Sequence, residues 1–282
     1  MSAARPRAGI TGWPVSHSRS PILHGYWLRK YAIAGTYERI PIAPENFAPE
    51  FRALAGKGFA GANVTIPHKQ AAMSLCDELD PIARRLRAVN TVVIKDGRFY
   101  GSNTDGFGFM ENLRVNAPGW NPESGAAVII GAGGAARAVI AALCDAGVKK
   151  IHLFNRTRAR AEQVAAELGG PIVTGDWTGL ETALADCGLL VNCSSLGMRG
   201  QPELLLSLQH LAPAALVCDL VYTPLQTPLL AAAAGRGNPT VDGLGMLLHQ
   251  ARPGFAAWFG RMPDVDETLR NLLLADIENA KG

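Results

Sequence analysis

Cysteine is sparse in this chain and follows no pattern. Cys76, Cys144, Cys187, Cys193 and Cys218 are odd in number, sit in apolar stretches and form no Cys-x-x-Cys pair. That excludes a disulfide framework and a cysteine-ligated zinc site, and it fits a reducing compartment. An excess of one charge is also lacking. The 27 basic and 24 acidic residues leave a net charge of +3, and the densest basic group, Arg84-Arg85 with Arg87, is short, so no nucleic-acid surface is implied. No stretch reaches the roughly 18 consecutive apolar residues of a membrane span. The first residues carry arginines but no apolar run of signal-peptide type, because Thr11-Gly12-Trp13-Pro14 intervenes. A cytoplasmic protein that needs no membrane is the expectation. The histidines at 17, 24, 68, 152, 210 and 249 show no paired ligand spacing, so no metal is expected.

What is present is an ordinary globular composition, 48% hydrophobic and 18% charged, in 282 residues, which is long enough for two domains. The first hundred residues alternate in period. Residues 8–13, 37–42 and 61–66 read as strands, with helices begun by Ser20 as N-cap before Pro21 and by the stretch 47–55. Asp96-Gly97 between two apolar runs predicts a tight hairpin. A helix over 105–115 leads into Asn116-Ala117-Pro118-Gly119, and a second α/β unit follows. Its strands are expected at 126–130, 150–154, 189–193 and 215–221, and its helices at 134–146 and 157–168. A final helical pattern, 244–259, is expected to cross back onto the first unit. The fold class is therefore α/β: a mainly parallel first sheet, a Rossmann-type second domain and returning C-terminal helices. The expected boundaries are 1–108, 109–242 and 243–282.

Gly131-Ala132-Gly133-Gly134-Ala135-Ala136 follows an apolar strand and opens an Ala-rich helix. In that context the glycines allow a tight turn and close approach of a pyrophosphate to a helix N-terminus. About 20 residues on, where NAD-binding folds place an acidic residue, stand Asn155-Arg156-Thr157, with Arg158 and Arg160 close behind. Guanidinium groups there suit a 2′-phosphate, so NADP (as NADPH) is the expected cofactor.

In the first unit, polar residues gather where strands end. Asn63-Val64-Thr65-Ile66-Pro67-His68-Lys69 closes one strand and Asn103-Thr104-Asp105-Gly106 another, while Ser18 and Ser20 offer hydroxyls suited to a carboxylate. Together with His17 to Pro21, Ala88-Val89-Asn90-Thr91, the glycine turn, Asn155 to Thr157, and Asp242-Gly243-Leu244-Gly245-Met246 with Gln250, these runs resemble the shikimate dehydrogenase family along nearly the whole length. The resemblance implies NADPH-dependent reduction of 3-dehydroshikimate to shikimate, in the pathway to aromatic amino acids, by a monomer or homodimer. It puts Lys69 and Asp105 at the catalytic centre. Ser18, Ser20, Thr65, Asn90, Asp105, Tyr222 and Gln250 fall at substrate contacts. The turn Gly131 to Ala135, with Asn155, Arg156, Thr157, Arg160 and Gly243, falls at the cofactor. Independently, an ammonium such as that of Lys69 can deliver a proton to a developing alkoxide.

Two positions depart from the family pattern: His68, where an aromatic residue is common, and Cys193 in Cys193-Ser194-Ser195. Either could alter nicotinamide contacts. Two readings stand beside the main one: a quinate/shikimate dehydrogenase with relaxed cofactor use, and a non-catalytic NADPH-binding sensor. A methylenetetrahydrofolate dehydrogenase would share the architecture but not the paired serines.

Overall fold

A computed structural model describes residues 5–279. In chain order the first elements are β1 (Arg7–Gly12), α1 (Ser20–Lys30), β2 (Thr36–Pro41), α2 (Phe47–Arg52), β3 (Phe59–Val64), α3 (Ala71–Leu75), β4 (Glu78–Leu79), α4 (Pro81–Leu86), β5 (Thr91–Lys95) and β6 (Arg98–Ser102). There follow α5 (Asp105–Asn116), β7 (Ala126–Ile130), α6 (Gly134–Asp145), β8 (Ile151–Phe154), α7 (Arg158–Leu168), β9 (Ile172–Gly175) and α8 (Leu180–Ala185). The chain continues through β10 (Cys187–Asn192), β11 (Leu216–Asp219), α9 (Pro228–Gly235), β12 (Thr240–Val241), α10 (Leu244–Gln250), α11 (Arg252–Phe259) and α12 (Glu267–Asn279). Two compact units divide these elements. One takes the chain up to Thr104 and again from Gln250, and the other is Asp105–His249. Among the described residues, no helix is long and apolar enough to cross a membrane.

The first unit is built on a six-stranded sheet ordered β2-β1-β3-β5-β6-β4. β1 runs parallel to both β2 and β3, β5 is antiparallel to β3 and β6, and β4 closes the far edge parallel to β6. The hairpin between β5 and β6 turns at Asp96 and Gly97 with φ of 51° and 74°, the left-handed pair that matches strand twist. Alternation along β3 sends Ala62 and Val64 into a core with Phe47, Phe51 and Phe99, while Gly61 and Asn63 face the other side. On that second side α11 lies against β3 and β5. A Cβ on Gly61 would collide with the Trp258 ring, whose Nε1 donates to Val92 O at 3.0 Å. α12 is tied to α1: Asp266 accepts from the Tyr26 hydroxyl at 2.8 Å and from Lys30 Nζ at 2.6 Å. α11 and α12 thus complete the first unit, whereas α10, up to His249, belongs to the second.

The second unit is a six-stranded parallel sheet, β12-β11-β10-β7-β8-β9. Counted within the unit this is 6-5-4-1-2-3, the doubly wound order, which reverses direction between β7 and β10. Every residue of β7 and β10 is buried, as central parallel strands covered on both faces require.

Two sequence expectations are corrected here. Ser20 is not the N-cap of α1. Arg19 holds that position with helical dihedrals, and Ser18 Oγ accepts from Ser20 N at 3.3 Å, so the cap-like hydroxyl is Ser18. The pattern 244–259 is also not one helix: α10 stops at Gln250 and α11 restarts at Arg252. Pro253, which cannot donate to a carbonyl one turn back, falls at the start of the new helix, where that loss is harmless.

Candidate active site

Four chain segments meet at one edge of the first sheet because β5 is antiparallel. β1 and β3 leave at this edge, β5 enters at it, and β6 leaves again: Asn63 pairs with Thr91, and Thr91 pairs with Ser102. The exits carry Ser18 and Ser20, then Thr65 and Lys69, then Asn103 and Thr104, and the entry carries Asn90. Backbone bonds knit them together. Thr65 N donates to Thr11 O at 2.9 Å, Val64 N to Asn90 O at 2.8 Å and Val89 N to Lys69 O at 2.9 Å. Gln250 joins the edge through its carbonyl, which accepts from Thr104 Oγ1 at 2.8 Å. Asn90 is held by its own acceptor. Its Oδ1 takes Thr104 N and Thr91 Oγ1, both at 2.9 Å, which fixes the plane of the amide. Lys69 and Thr65 are half-buried, and Ser20 and Asn90 are buried.

Behind these residues lies a polar network that the sequence reading did not single out. The Tyr37 hydroxyl donates to Asn63 Oδ1 at 2.6 Å, and the Asn63 amide donates to Asn90 O and Thr91 Oγ1, each at 3.2 Å. Burial pushes the Tyr37 pKa well up, and a hydrogen bond with the Ser20 side chain opposes it. His24 stacks on Tyr37 at 3.9 Å between ring centres. Burial, opposed by the nearby Asn63 side chain, pushes its pKa down to about 3, and neither ring nitrogen has a well-formed hydrogen bond. The available signal was positional: Asn63 is a polar residue facing inward on a buried strand. His68 points away from the site, stacked on Phe47 at 4.0 Å with Nε2 2.7 Å from Ile42 O, so it is a core residue.

In the second unit, the glycine turn joins β7 to α6. Gly131 has φ of 102°, and a Cβ there would come within 3.0 Å of Ser194 N and 3.1 Å of the Cys193 carbonyl carbon. It lets the turn approach the exit of β10 at the point where the sheet reverses. Around Gly133 and Gly134, by contrast, an added Cβ would meet nothing, and Gly133, the N-cap of α6, leaves the helix without a side-chain cap. An uncapped helix start beneath two residues with open space above them fits a pyrophosphate. Cys193 donates its N–H to Ile130 O at 2.8 Å, and burial pushes its thiol well up, so it is a packing residue at that junction.

At the end of β8, Asn155 Nδ2 donates to Thr157 O at 2.8 Å and shapes the turn. Arg156 and Arg160 are exposed, and their guanidinium groups make no hydrogen bond or ion pair among the described residues. Arg158 is engaged in two exposed ion pairs, 2.8 Å from Glu162 Oε1 and 2.6 Å from Asp176 Oδ2. Asp105 opens α5 as the residue after Thr104. Tyr222 is half-buried in the loop after β11, and Gly243 packs on that loop so closely that a Cβ would collide with Leu220 O.

That loop is anchored by residues the sequence reading did not single out. Asp219 Oδ1 accepts from Asn192 Nδ2 at 2.9 Å and from Val221 N at 3.0 Å, and its Oδ2 accepts from Thr227 Oγ1 at 2.7 Å. Burial pushes its pKa up, and these three donors oppose the shift.

Comparison with known proteins agrees with both halves. Residues 10–92 match the shikimate dehydrogenase substrate binding domain, residues 119–198 the shikimate / quinate 5-dehydrogenase family, and residues 243–273 the shikimate 5′-dehydrogenase C-terminal domain. A relative from Paramagnetospirillum magneticum named shikimate dehydrogenase (NADP(+)) is 57% identical over 98% of this chain and 100% of its own. The structure of shikimate 5-dehydrogenase from Thermus thermophilus in complex with NADP(H) and shikimate superposes with a TM-score of 0.84. It shares 35% identity and covers 98% of this chain and 99% of that one. Quinate dehydrogenase from Corynebacterium glutamicum in complex with NAD gives a TM-score of 0.88 at 33% identity, covering 96% of this chain and 99% of that one. With all three segments matched in order and more than half of the residues shared with a full-length relative, this chain belongs to the shikimate dehydrogenase family.

Proposed function

We propose that this protein reversibly reduces the ketone of 3-dehydroshikimate to the alcohol of shikimate with NADPH, in the cytoplasm, as a monomer or a homodimer. The observation that carries this reading is the convergence of Ser18, Ser20, Thr65, Lys69, Asn90 and Gln250 at one sheet edge, an unusual density of hydroxyl, amide and ammonium groups suited to a polyhydroxylated acid. The first unit, with its returning helices, holds the substrate. Ser18 and Ser20 take the carboxylate, Thr65, Asn90 and Gln250 orient the ring hydroxyls, and Tyr222 is a further substrate contact. The second unit holds NADP. The Gly131 to Ala135 turn receives the pyrophosphate, Asn155, Arg156, Thr157 and Arg160 receive the 2′-phosphorylated ribose, and Gly243 lies beside the nicotinamide.

NADPH supplies the hydride when bound. Lys69 then does the chain's own chemistry: its ammonium hydrogen-bonds the ketone oxygen, stabilises negative charge as it develops there, and gives that oxygen its proton. Asp105 orients the substrate and the ammonium. In the reverse direction Lys69 accepts the proton from the shikimate hydroxyl. Absorbance at 340 nm, comparing shikimate and quinate with NADP and NAD, tests the reading. The expected result is that shikimate with NADP gives the highest kcat/KM. Preference for quinate with NAD would assign the protein to the quinate branch, and no turnover with any pair would leave a sensor.

A further inference from the structure

The Asp219 cluster lies apart from Lys69 in the chain, and its hydrogen bonds converge on two segments of the second unit, the exit of β10 and the loop that carries Tyr222. Asn192 and Asp219 end the neighbouring strands β10 and β11 in register. Asn192 Oδ1 accepts from Ser194 N at 3.0 Å and Ser194 Oγ at 2.7 Å, and its Nδ2 donates to Leu196 O as well as to Asp219. Asp219 holds Val221 N, the peptide next to Tyr222, and Thr227, which also accepts from Leu230 N at 3.3 Å to cap α9. A third side of the loop is closed by Gly243 against Leu220. One buried carboxylate therefore sets both the exit of β10, against which Gly131 packs, and the loop carrying Tyr222.

Resting on the proposed role of Tyr222 as a substrate contact, we infer that Asp219 is a positioning residue for the reaction: through Val221 N, Asn192 and Thr227 it sets where the Tyr222 hydroxyl sits, and so governs the affinity for shikimate. It touches neither substrate nor cofactor. What it supplies is acceptor geometry. Asparagine in its place keeps an oxygen for Val221 N and Asn192 Nδ2, while the Thr227 hydroxyl can turn to accept from the new amide.

The test is a kinetic cycle on the full-length enzyme with shikimate and NADP, using Asp219→Ala, Asp219→Asn, Tyr222→Phe and the Asp219→Ala/Tyr222→Phe double variant. Asp219→Ala is expected to raise KM for shikimate by roughly tenfold with a smaller change in kcat, as loss of an ordered hydrogen-bond partner implies. Asp219→Asn restores most of the affinity, and Asp219→Ala adds little once Tyr222 is phenylalanine. Multiplicative losses in the double variant, or an Asp219→Ala enzyme with lowered Tm and unchanged KM, would overturn the inference alone. A Tyr222→Phe enzyme with unchanged KM removes Tyr222 from the substrate site, and both readings fall together. Should Asp219→Ala not fold, Thr227→Val replaces it in the same cycle, with Thr227→Ser as the conservative rescue. A KM shift that vanishes in the Tyr222→Phe background supports the inference, and an unshifted KM overturns it.

Discussion

Under the proposed mechanism Lys69 and Arg156 make opposite kinds of contribution, and their variants should separate accordingly. A proton donor acts chiefly in the transition state, so Lys69→Ala is expected to lower kcat by about 10²–10⁴-fold with a smaller effect on shikimate binding. Steady-state rates together with calorimetric titration of shikimate check this, and an equally active variant would remove Lys69 from the mechanism. Arg156 is exposed with its guanidinium unengaged, whereas Arg158 already holds Glu162 and Asp176. Arg156→Ala should therefore raise KM for NADPH by roughly tenfold or more, the worth of a charge-assisted hydrogen bond, and leave that for NADH nearly unchanged. Arg158→Ala should alter neither. Equal losses for NADPH and NADH in Arg156→Ala would point to the pyrophosphate or to folding instead.

His24 shows how an element pair can impose a pH limit on stability. It is carried by α1, stacked on Tyr37 of β2 and packed against Phe255 and Trp258 of α11. Its folded pKa lies near 3, against 6.5 ordinarily, so the fold keeps it neutral. Above pH 6.5 folded and unfolded states are both neutral and His24 confers no pH dependence. As pH falls from 6.5 towards 3 only the unfolded state takes up the proton, and the stability present at neutral pH is lost by about 1.4 kcal/mol per pH unit. Urea unfolding at pH 7.5, 6 and 5 should show this slope in the wild type. His24→Phe, which keeps an aromatic ring and removes the titration, should flatten it, and an unchanged slope would place the limiting group elsewhere. Elements of this kind mark where sequence reading stops. Hydrophobic period and turn residues were enough for β7, α6 and the Asp96-Gly97 hairpin, since each is decided by a dozen residues or fewer. The two-residue strands β4 and β12 depend on partners more than twenty residues away, whereas Pro253 marked the restart of the helix at α11 locally. The same holds at the site. Ser18, Lys69 and Asn90 announce themselves in short motifs, but the Tyr37–Asn63 and Asn192–Asp219 bonds are made across strands, and no local spacing encodes them.

At the scale of the molecule, each ligand should protect its own unit. With shikimate bound, hydrogen exchange is expected to slow at residues 18–20, 65–69 and 90. With NADP the slowing should fall at 131–137 and 155–160. At a hundredfold excess over Kd the stabilisation is about 2.7 kcal/mol for whatever segment must open to release the ligand. Mass-resolved exchange with each ligand alone checks the division of labour, and protection by NADP confined to 65–69 would reverse it. The closing of the first unit by α11 and α12 also bears on how the chain is made. Residues 105–249 are contiguous, and their parallel sheet has all its strands once the ribosome has passed β12. The first unit, although translated earlier, must wait: the face of β3 and β5 that Trp258 covers stays bare until residues beyond 250 emerge. Domains generally mature in order from the N-terminus during synthesis. Here the order is expected to invert: a nascent chain stalled before Trp258 should hold a finished second unit while the sheet of the first is still open.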